Sequence, residues 1–220
     1  MDILKSQIRD FLPNFFTGKP INNTHRELSK SVNANFVLFN KRLHLLESGE
    51  FEQVSDDFCF DELASKSKKL LNHRHDQVSI QLLLSSGDFL STRHALPDLP
   101  KESLVSALRL QAEETLPSLE KPVAIAFDSS KSDIEEETIV LWHDQEKLDN
   151  LFVAFKQQGL FLAVIKPRIL AFKFENLSCG VLERDEVNET LVIFGDGRLK
   201  VWRQVHKIDL DQEELREQWR

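Results

Sequence analysis

Val78-Ser79-Ile80-Gln81-Leu82-Leu83-Leu84, then the cluster Ser85-Ser86-Gly87-Asp88, then Phe89 to Leu96 and Pro97, is the stretch that decides how this chain is read. The first part is a nearly continuous apolar run and reads as a strand. The cluster reads as a turn, and the third part as a second strand stopped by proline. Working outward, Lys101–Leu116 is predicted to be a helix, because Leu104, Val105, Leu108, Ala112 and Leu116 share one face at a 3.6-residue period. Pro100 suits its first turn and Pro117 ends it. Val123–Phe127 and Thr138–His143 are short β-rich runs. Asp144 is placed to cap a helix whose apolar face is Leu148, Leu151, Phe152 and Phe155, closed by Gly159. Leu160–Ile165 then returns as a strand ended by Lys166-Pro167. The order predicts an α/β unit spanning Val78 to Phe172, with at least two covered helices.

On the N-terminal side, Ala34–Phe39 and Leu43–Glu47 read as a hairpin around Asn40–Arg42, with a third strand at Phe51–Val54. A helix is expected over Glu62–Leu71 with Leu63, Ser67, Leu70 and Leu71 inward. Meander, helix and further strand together predict a mixed sheet carrying helices. On the C-terminal side, Ala171–Asn188 is polar and reads as loop or short helix. Thr190–Phe194 and Leu199–Val205 form a hairpin around Gly195-Asp196-Gly197. The hairpins Ala34–Glu47 and Thr190–Val205 are candidates for the equivalent openings of two related subdomains. Asp209–Arg220 is charged and helical in propensity, with Leu210, Leu215 and Trp219 as its apolar residues. At the other end, Met1–Lys30 reads as an appendage. Ile3, Leu4, Ile8, Phe11, Leu12, Phe15 and Phe16 share one side of a helix that Pro13 bends, and Gly18–Thr24 is a linker. Two readings of that face stand side by side: packing on its own domain, or anchoring in a partner groove or on a membrane surface. Trp219 is a second candidate anchor.

A formal charge of −8 and a pI near 5.4 argue against a general nucleic-acid binder, which needs a basic face for phosphates. Cys59 and Cys179 match no metal or redox spacing and read as two buried thiols in a reducing compartment. No metal is expected: His73-Arg74-His75-Asp76 has no second cluster of ligands nearby in sequence. Glu113-Glu114 and Glu135-Glu136-Glu137 read as surface charge rather than acid–base pairs. Ser85-Ser86-Gly87 lacks the strand-to-helix elbow of a hydrolase nucleophile. Trp142 and Trp202 read as core or edge packing. No catalytic residue and no cofactor emerges. No apolar run is long enough to span a bilayer.

Several segments together resemble the actin-like family of the type IV pilus protein M and the cytoplasmic part of the type II secretion protein L. They are Ser91-Thr92-Arg93-His94-Ala95-Leu96-Pro97, the helix from Leu104 to Pro117, Val140-Leu141-Trp142-His143-Asp144, Gln157-Gln158-Gly159-Leu160 and Val164-Ile165-Lys166-Pro167. The resemblance covers about half of the chain. It implies an actin-like, ribonuclease H-like α/β fold of mixed sheets in two halves. The first half would span residues 31–172, with an inserted subdomain at 89–133, after an appendage at 1–30. A partial second half and a charged helix would fill 173–220. It also implies a cytoplasmic scaffold of an inner-membrane platform for pilus assembly or type II secretion. Its partners would be a motor ATPase and inner-membrane pilus or secretion proteins, and a homodimer is compatible with it. Membrane contact would be indirect or through the N-terminal helix, with no nucleic acid involved. Members that bind nucleotide carry a phosphate-cradling turn with Asp and Gly, where glycine lets amides approach phosphate. The matching turn here, Phe39-Asn40-Lys41-Arg42, has neither residue, so the nucleotide site is expected to be degenerate. Gly195, Asp196 and Gly197 remain as the nucleotide candidates, and Ile8, Phe11, Leu12, Phe15, Phe16 and Trp219 as the partner-binding candidates.

Overall fold

The computed structural model describes residues 16–17, 34–72, 78–95, 101–115, 122–127, 137–171, 178–185, 187–195 and 198–206. The opening meander is β2 (Ala34–Phe39), β3 (Arg42–Leu45) and β4 (Phe51–Gln53). Asn40 and Lys41 close the β2–β3 hairpin with φ of 48° and 57°. Two left-handed residues give the tight turn whose twist matches the strands it joins. Helix α1 (Phe60–Leu71) follows, burying Leu63, Ala64, Ser67, Leu70 and Leu71 as its periodicity requires. Its acids lie in the first turn and its lysines in the last, favourable to the helix dipole. The chain then enters β5 (Ser79–Leu84), which lies parallel to β2. It is buried along nearly its whole length, because it is central in a sheet covered on both faces.

After a 3-10 turn at Ser86–Asp88 come β6 (Leu90–Ala95), α2 (Lys101–Thr115), β7 (Val123–Phe127) and β8 (Glu137–Asp144). These strands form their own sheet in the order β6-β8-β7. That sheet takes in β8 and so runs to Asp144, beyond the limits of 89–133 expected for the insertion. Helix α3 (Gln145–Gln157) starts at Asp144, whose carboxylate accepts from the Lys147 amide at 3.1 Å. It stops at Gly159, with φ of +74°, where the Leu160 amide donates back to Phe155 O at 3.0 Å. Strand β9 (Phe161–Pro167) then lies parallel to β5. The main sheet has the order β1-β9-β5-β2-β3-β4, where β1 is Phe16–Thr17, paired antiparallel with Ile165 and Val164. Phe16 is therefore in extended chain and not in the helix that its apolar spacing suggested. The rest of that helix lies outside the described residues.

A third sheet, β10 (Cys179–Arg184), β11 (Asn188–Gly195) and β12 (Arg198–His206), is an antiparallel meander. Its first strand occupies the segment Ala171–Asn188 expected to be loop or short helix. Cys179-Gly180-Val181-Leu182-Glu183-Arg184 buries a carboxylate on its inner side, so the apolar alternation that marks a strand is broken. The meander β10-β11-β12 has the same antiparallel, strand-by-strand order as β2-β3-β4.

One core joins the main sheet, α1, α3 and the third sheet through Phe36, Leu63, Leu82, Phe155, Val192 and Trp202. A second cluster, Leu104, Leu108, Phe127, Val140 and Trp142, packs α2 on the second sheet. Strand β8 serves both: Ile139 and Leu141 belong to the first core, Val140 and Trp142 to the second. The expected pair of buried thiols is corrected here: Cys59, before α1, is exposed, and Cys179 is half-buried. No helix of the described residues is long and apolar enough to cross a membrane.

Candidate functional site

Three parallel strands, β2, β5 and β9, end along one edge of the main sheet. In open α/β sheets that carboxyl edge is where ligands bind. Here it is filled by the chain itself. Arg168, the first residue after β9, donates from Nη1 to Leu38 O at the end of β2, at 2.8 Å. Its guanidinium lies 4.7 Å from the Phe39 ring centroid. Its Nη2 forms ion pairs with Glu183 Oε1 at 2.9 Å and with Asp185 Oδ2 at 3.8 Å. All three side chains are largely buried, at 11%, 10% and 18% exposure.

The turn after β5 completes the cluster. Ser86 donates to both oxygens of Glu183, from its amide at 3.0 Å and its hydroxyl at 2.8 Å. Ser85 donates its hydroxyl to Asp185, and Gln204 of β12 donates to Ser86 O. Asp185 also folds its own hairpin: Oδ1 accepts from the Val187 amide at 2.9 Å and the Asn188 amide at 2.6 Å. Gly87 is held so close to Asn188 that a Cβ there would sit 2.3 Å from Asn188 Nδ2. The ends of β2, β5, β9 and β10 are thereby tied at one point, where the third sheet meets the main sheet.

Burial by itself would raise the Asp185 carboxyl. The Ser85 hydroxyl, the amides of Asn188 and Val187 and the Arg168 charge together outweigh it and hold the group below its ordinary value. A carboxylate depressed in the folded state adds stability above its unfolded value of about 3.9, and that stability is lost as pH falls through the folded value. The difference in unfolding free energy between wild type and Asp185→Asn is therefore expected to be constant above about pH 5 and to shrink below about pH 4. Taking the difference removes the contribution of acids that do not sense Asp185; Asp88, which burial raises and the Asp185 charge raises further, does not cancel, and its shift is expected to ease in the variant. Urea midpoints of both proteins measured across that range test it. A pH-independent difference would mean that the carboxylate is not held as described.

No protein-family model matches the sequence, and no curated protein matches it. Solved structures do match. A chain of the PilM–PilN type IV pilus biogenesis complex superposes with a TM-score of 0.60 at 17% identity, over 78% of this chain and 60% of that one. The cytoplasmic domain of EpsL, an inner-membrane component of the type II secretion system of Vibrio cholerae, superposes with a TM-score of 0.53 at 14% identity, over 79% of this chain and 70% of that one. The fold is actin-like. The chain spans three fifths of the length of the pilus chain.

The actin-like frame also locates the residues singled out from sequence. The turn Asn40–Lys41 has no glycine, as expected. The β10–β11 connection, Asp185–Val187, has none either. Gly195 begins the β11–β12 turn at the opposite end of β11, about 23 Å from Asn188 at 3.3 Å per residue step, and so far from the Asp185 end of the strand. Asp196 and Gly197 lie outside the described residues, as do Ile8, Phe11, Leu12, Phe15, Trp219 and the loop His73–Asp76. Phe16 pairs through its backbone with the β9 edge, and β1 also lies against β7 of the second sheet. Trp142 and Trp202 are buried, as their strand positions suggested. Among the described residues no group of His, Cys, Asp and Glu could hold a metal ion. Arg168, Glu183 and Asp185 were not singled out from sequence. The one local signal was a charged residue directly following the strand-ending Pro167.

Proposed function

We infer that this chain is a non-catalytic scaffold on the cytoplasmic side of an inner-membrane platform for type IV pilus assembly or type II secretion, docking a motor ATPase and a membrane partner. The likeness to the PilM–PilN and EpsL structures supports the class of machine. The observation that carries the absence of catalysis is the filled carboxyl edge. A phosphate-binding turn presents free backbone amides from a glycine-rich loop. Here the equivalent place holds two carboxylates, Glu183 and Asp185, whose charge opposes a phosphate, and their hydrogen bonds and the Arg168 charge are used internally. The N-terminal residues Ile8, Phe11, Leu12 and Phe15, with Trp219, are the docking element of this reading.

Co-precipitation of the purified chain with the cytoplasmic tail of an inner-membrane pilus or secretion protein, and with a motor ATPase, tests it. Retention of one or both, lost on Phe11→Asp with Phe15→Asp, is the expected result. Silence with both ends the reading. The competing reading is a nucleotide-dependent switch of the same machinery, using the turn Gly195–Gly197. Its signature is a rise of several degrees in the melting midpoint at millimolar Mg·ATP, and the expected shift is none.

A further inference from the structure

Asn72 stands directly after α1 with φ of 51° and ψ of −121°, its backbone N–H donating to Lys69 O as the helix closes. Residues other than glycine rarely rest there, because the conformation is strained for a side chain. Asn40 and Lys41, the other described non-glycine residues with positive φ, sit in a tight hairpin turn that calls for it. At Asn72 the consequence is chemical, because ψ sets where the next peptide nitrogen lies. The substituents of Cα are about 120° apart, so in an L residue ψ of −121° brings the His73 nitrogen into eclipse with Asn72 Cβ. That nitrogen, the carbonyl carbon, Cα and Cβ then share one plane, as four of the five atoms of a succinimide ring. The fifth is Asn72 Cγ, already joined to Cβ. Helical ψ near −42° and strand ψ near +135° turn the nitrogen away from that plane by about 80° and about 105°. Asn35 in β2, Asn150 in α3 and Asn188 in β11 belong to such regular elements. Asn72 is also exposed, where the water that opens such a ring is at hand. The residue that follows it in sequence, His73, is a general acid–base group at neutral pH.

We propose that Asn72 is a site of self-modification, at which the folded backbone drives deamidation through a succinimide. The His73 peptide nitrogen attacks Asn72 Cγ and forms the N–Cγ bond. The Cγ–Nδ2 bond breaks, and Nδ2 leaves as ammonia with the proton given up by the peptide N–H. One water then opens the ring. Opening at Cγ leaves aspartate at position 72. Opening at the backbone carbonyl leaves isoaspartate, which moves one methylene into the main chain between α1 and β5. Either product adds a negative charge at the end of α1, directly after the turn that carries Lys68 and Lys69. The reaction goes beyond the scaffold reading and does not depend on it.

The purified 220-residue chain, kept folded at mildly alkaline pH and body temperature, tests it, with the same chain unfolded in guanidinium chloride as the reference. Peptide mass spectrometry reads amide, succinimide and acid at each asparagine, and an isoaspartyl methyltransferase assay counts isoaspartate. Conversion at Asn72 is expected to be about tenfold or more faster in the folded chain than in the unfolded one, the rate that a held attack geometry of this strain supplies. It is also expected to run ahead of Asn35, Asn150 and Asn188. Asn72→Gly, which takes the same torsions freely, is expected to remove the isoaspartate from that peptide. Asn72→Asp is expected to form isoaspartate through the same ring, losing water in place of ammonia. An Asn72 that converts no faster folded than unfolded overturns the proposal. So does one that stays intact while Asn150 or Asn188 converts.

Discussion

Arg168→Ala is expected to lower the unfolding free energy by about 3–5 kcal/mol, the cost of removing one partner from a buried ion pair. The magnitude comes from what is left behind. Glu183 and Asp185 would remain largely buried beside each other with no cation, and Leu38 O would lose its donor. Against a total stability of about 5–15 kcal/mol for a domain, that loss is large. Arg168→Lys is expected to recover only part of it, because one ammonium cannot reach Leu38 O and both carboxylates as the planar fork does. Combining Arg168→Ala with Glu183→Gln and Asp185→Asn is expected to cost less than the single change, since neutral amides carry no uncompensated charge. Urea unfolding of the series reads this directly. A loss below about 1 kcal/mol for Arg168→Ala would show the cluster to behave as a solvated surface pair.

Trp142→Ala is expected to cost a similar amount, about 3–5 kcal/mol, for a different reason. Trp142 is fully buried in the small core of the second sheet with Leu104, Leu108, Phe127 and Val140. That core has few members, so the cavity cannot be refilled from elsewhere. The indole N–H donates to Thr92 Oγ1 at 2.7 Å across the β6–β8 pair. Trp142→Phe keeps most of the volume and loses that bond, and about 1–2 kcal/mol is expected. Equal losses for the two variants would assign the effect to the hydrogen bond and not to packing.

Most of the first half was legible in the amino-acid pattern, and the reasons are local. Strand β5 is a long apolar run because it is central, and α3 shows both its cap at Asp144 and its stop at Gly159. Helix α1 announces itself through the spacing of Leu63, Ser67, Leu70 and Leu71. The second half was read less well. Strand β10 was missed because Glu183 occupies an inward position that a periodicity argument reserves for an apolar side chain, and only its long-range partners make it tolerable there. Gly195-Asp196-Gly197 was a strong turn signal, and β11 and β12 do meet there. The β10–β11 turn, which closes through the Asp185 carboxylate without any glycine, gave no such signal. The Arg168 cluster was invisible for a related reason: its members come from β9, β10 and the turn after β5, and no local pattern encodes who meets whom across a fold. Phe16 shows the converse, since helical spacing of apolar residues did not prevent extended pairing beside β9.

The alternation along β8 has a mechanical corollary. Its odd-numbered side chains are bolted into one body and its even-numbered ones into the other, so the small sheet has no compliant joint to the large one. The two clusters share one rail of backbone, so a displacement of the small sheet along β8 is expected to disturb the packing of the large one as well.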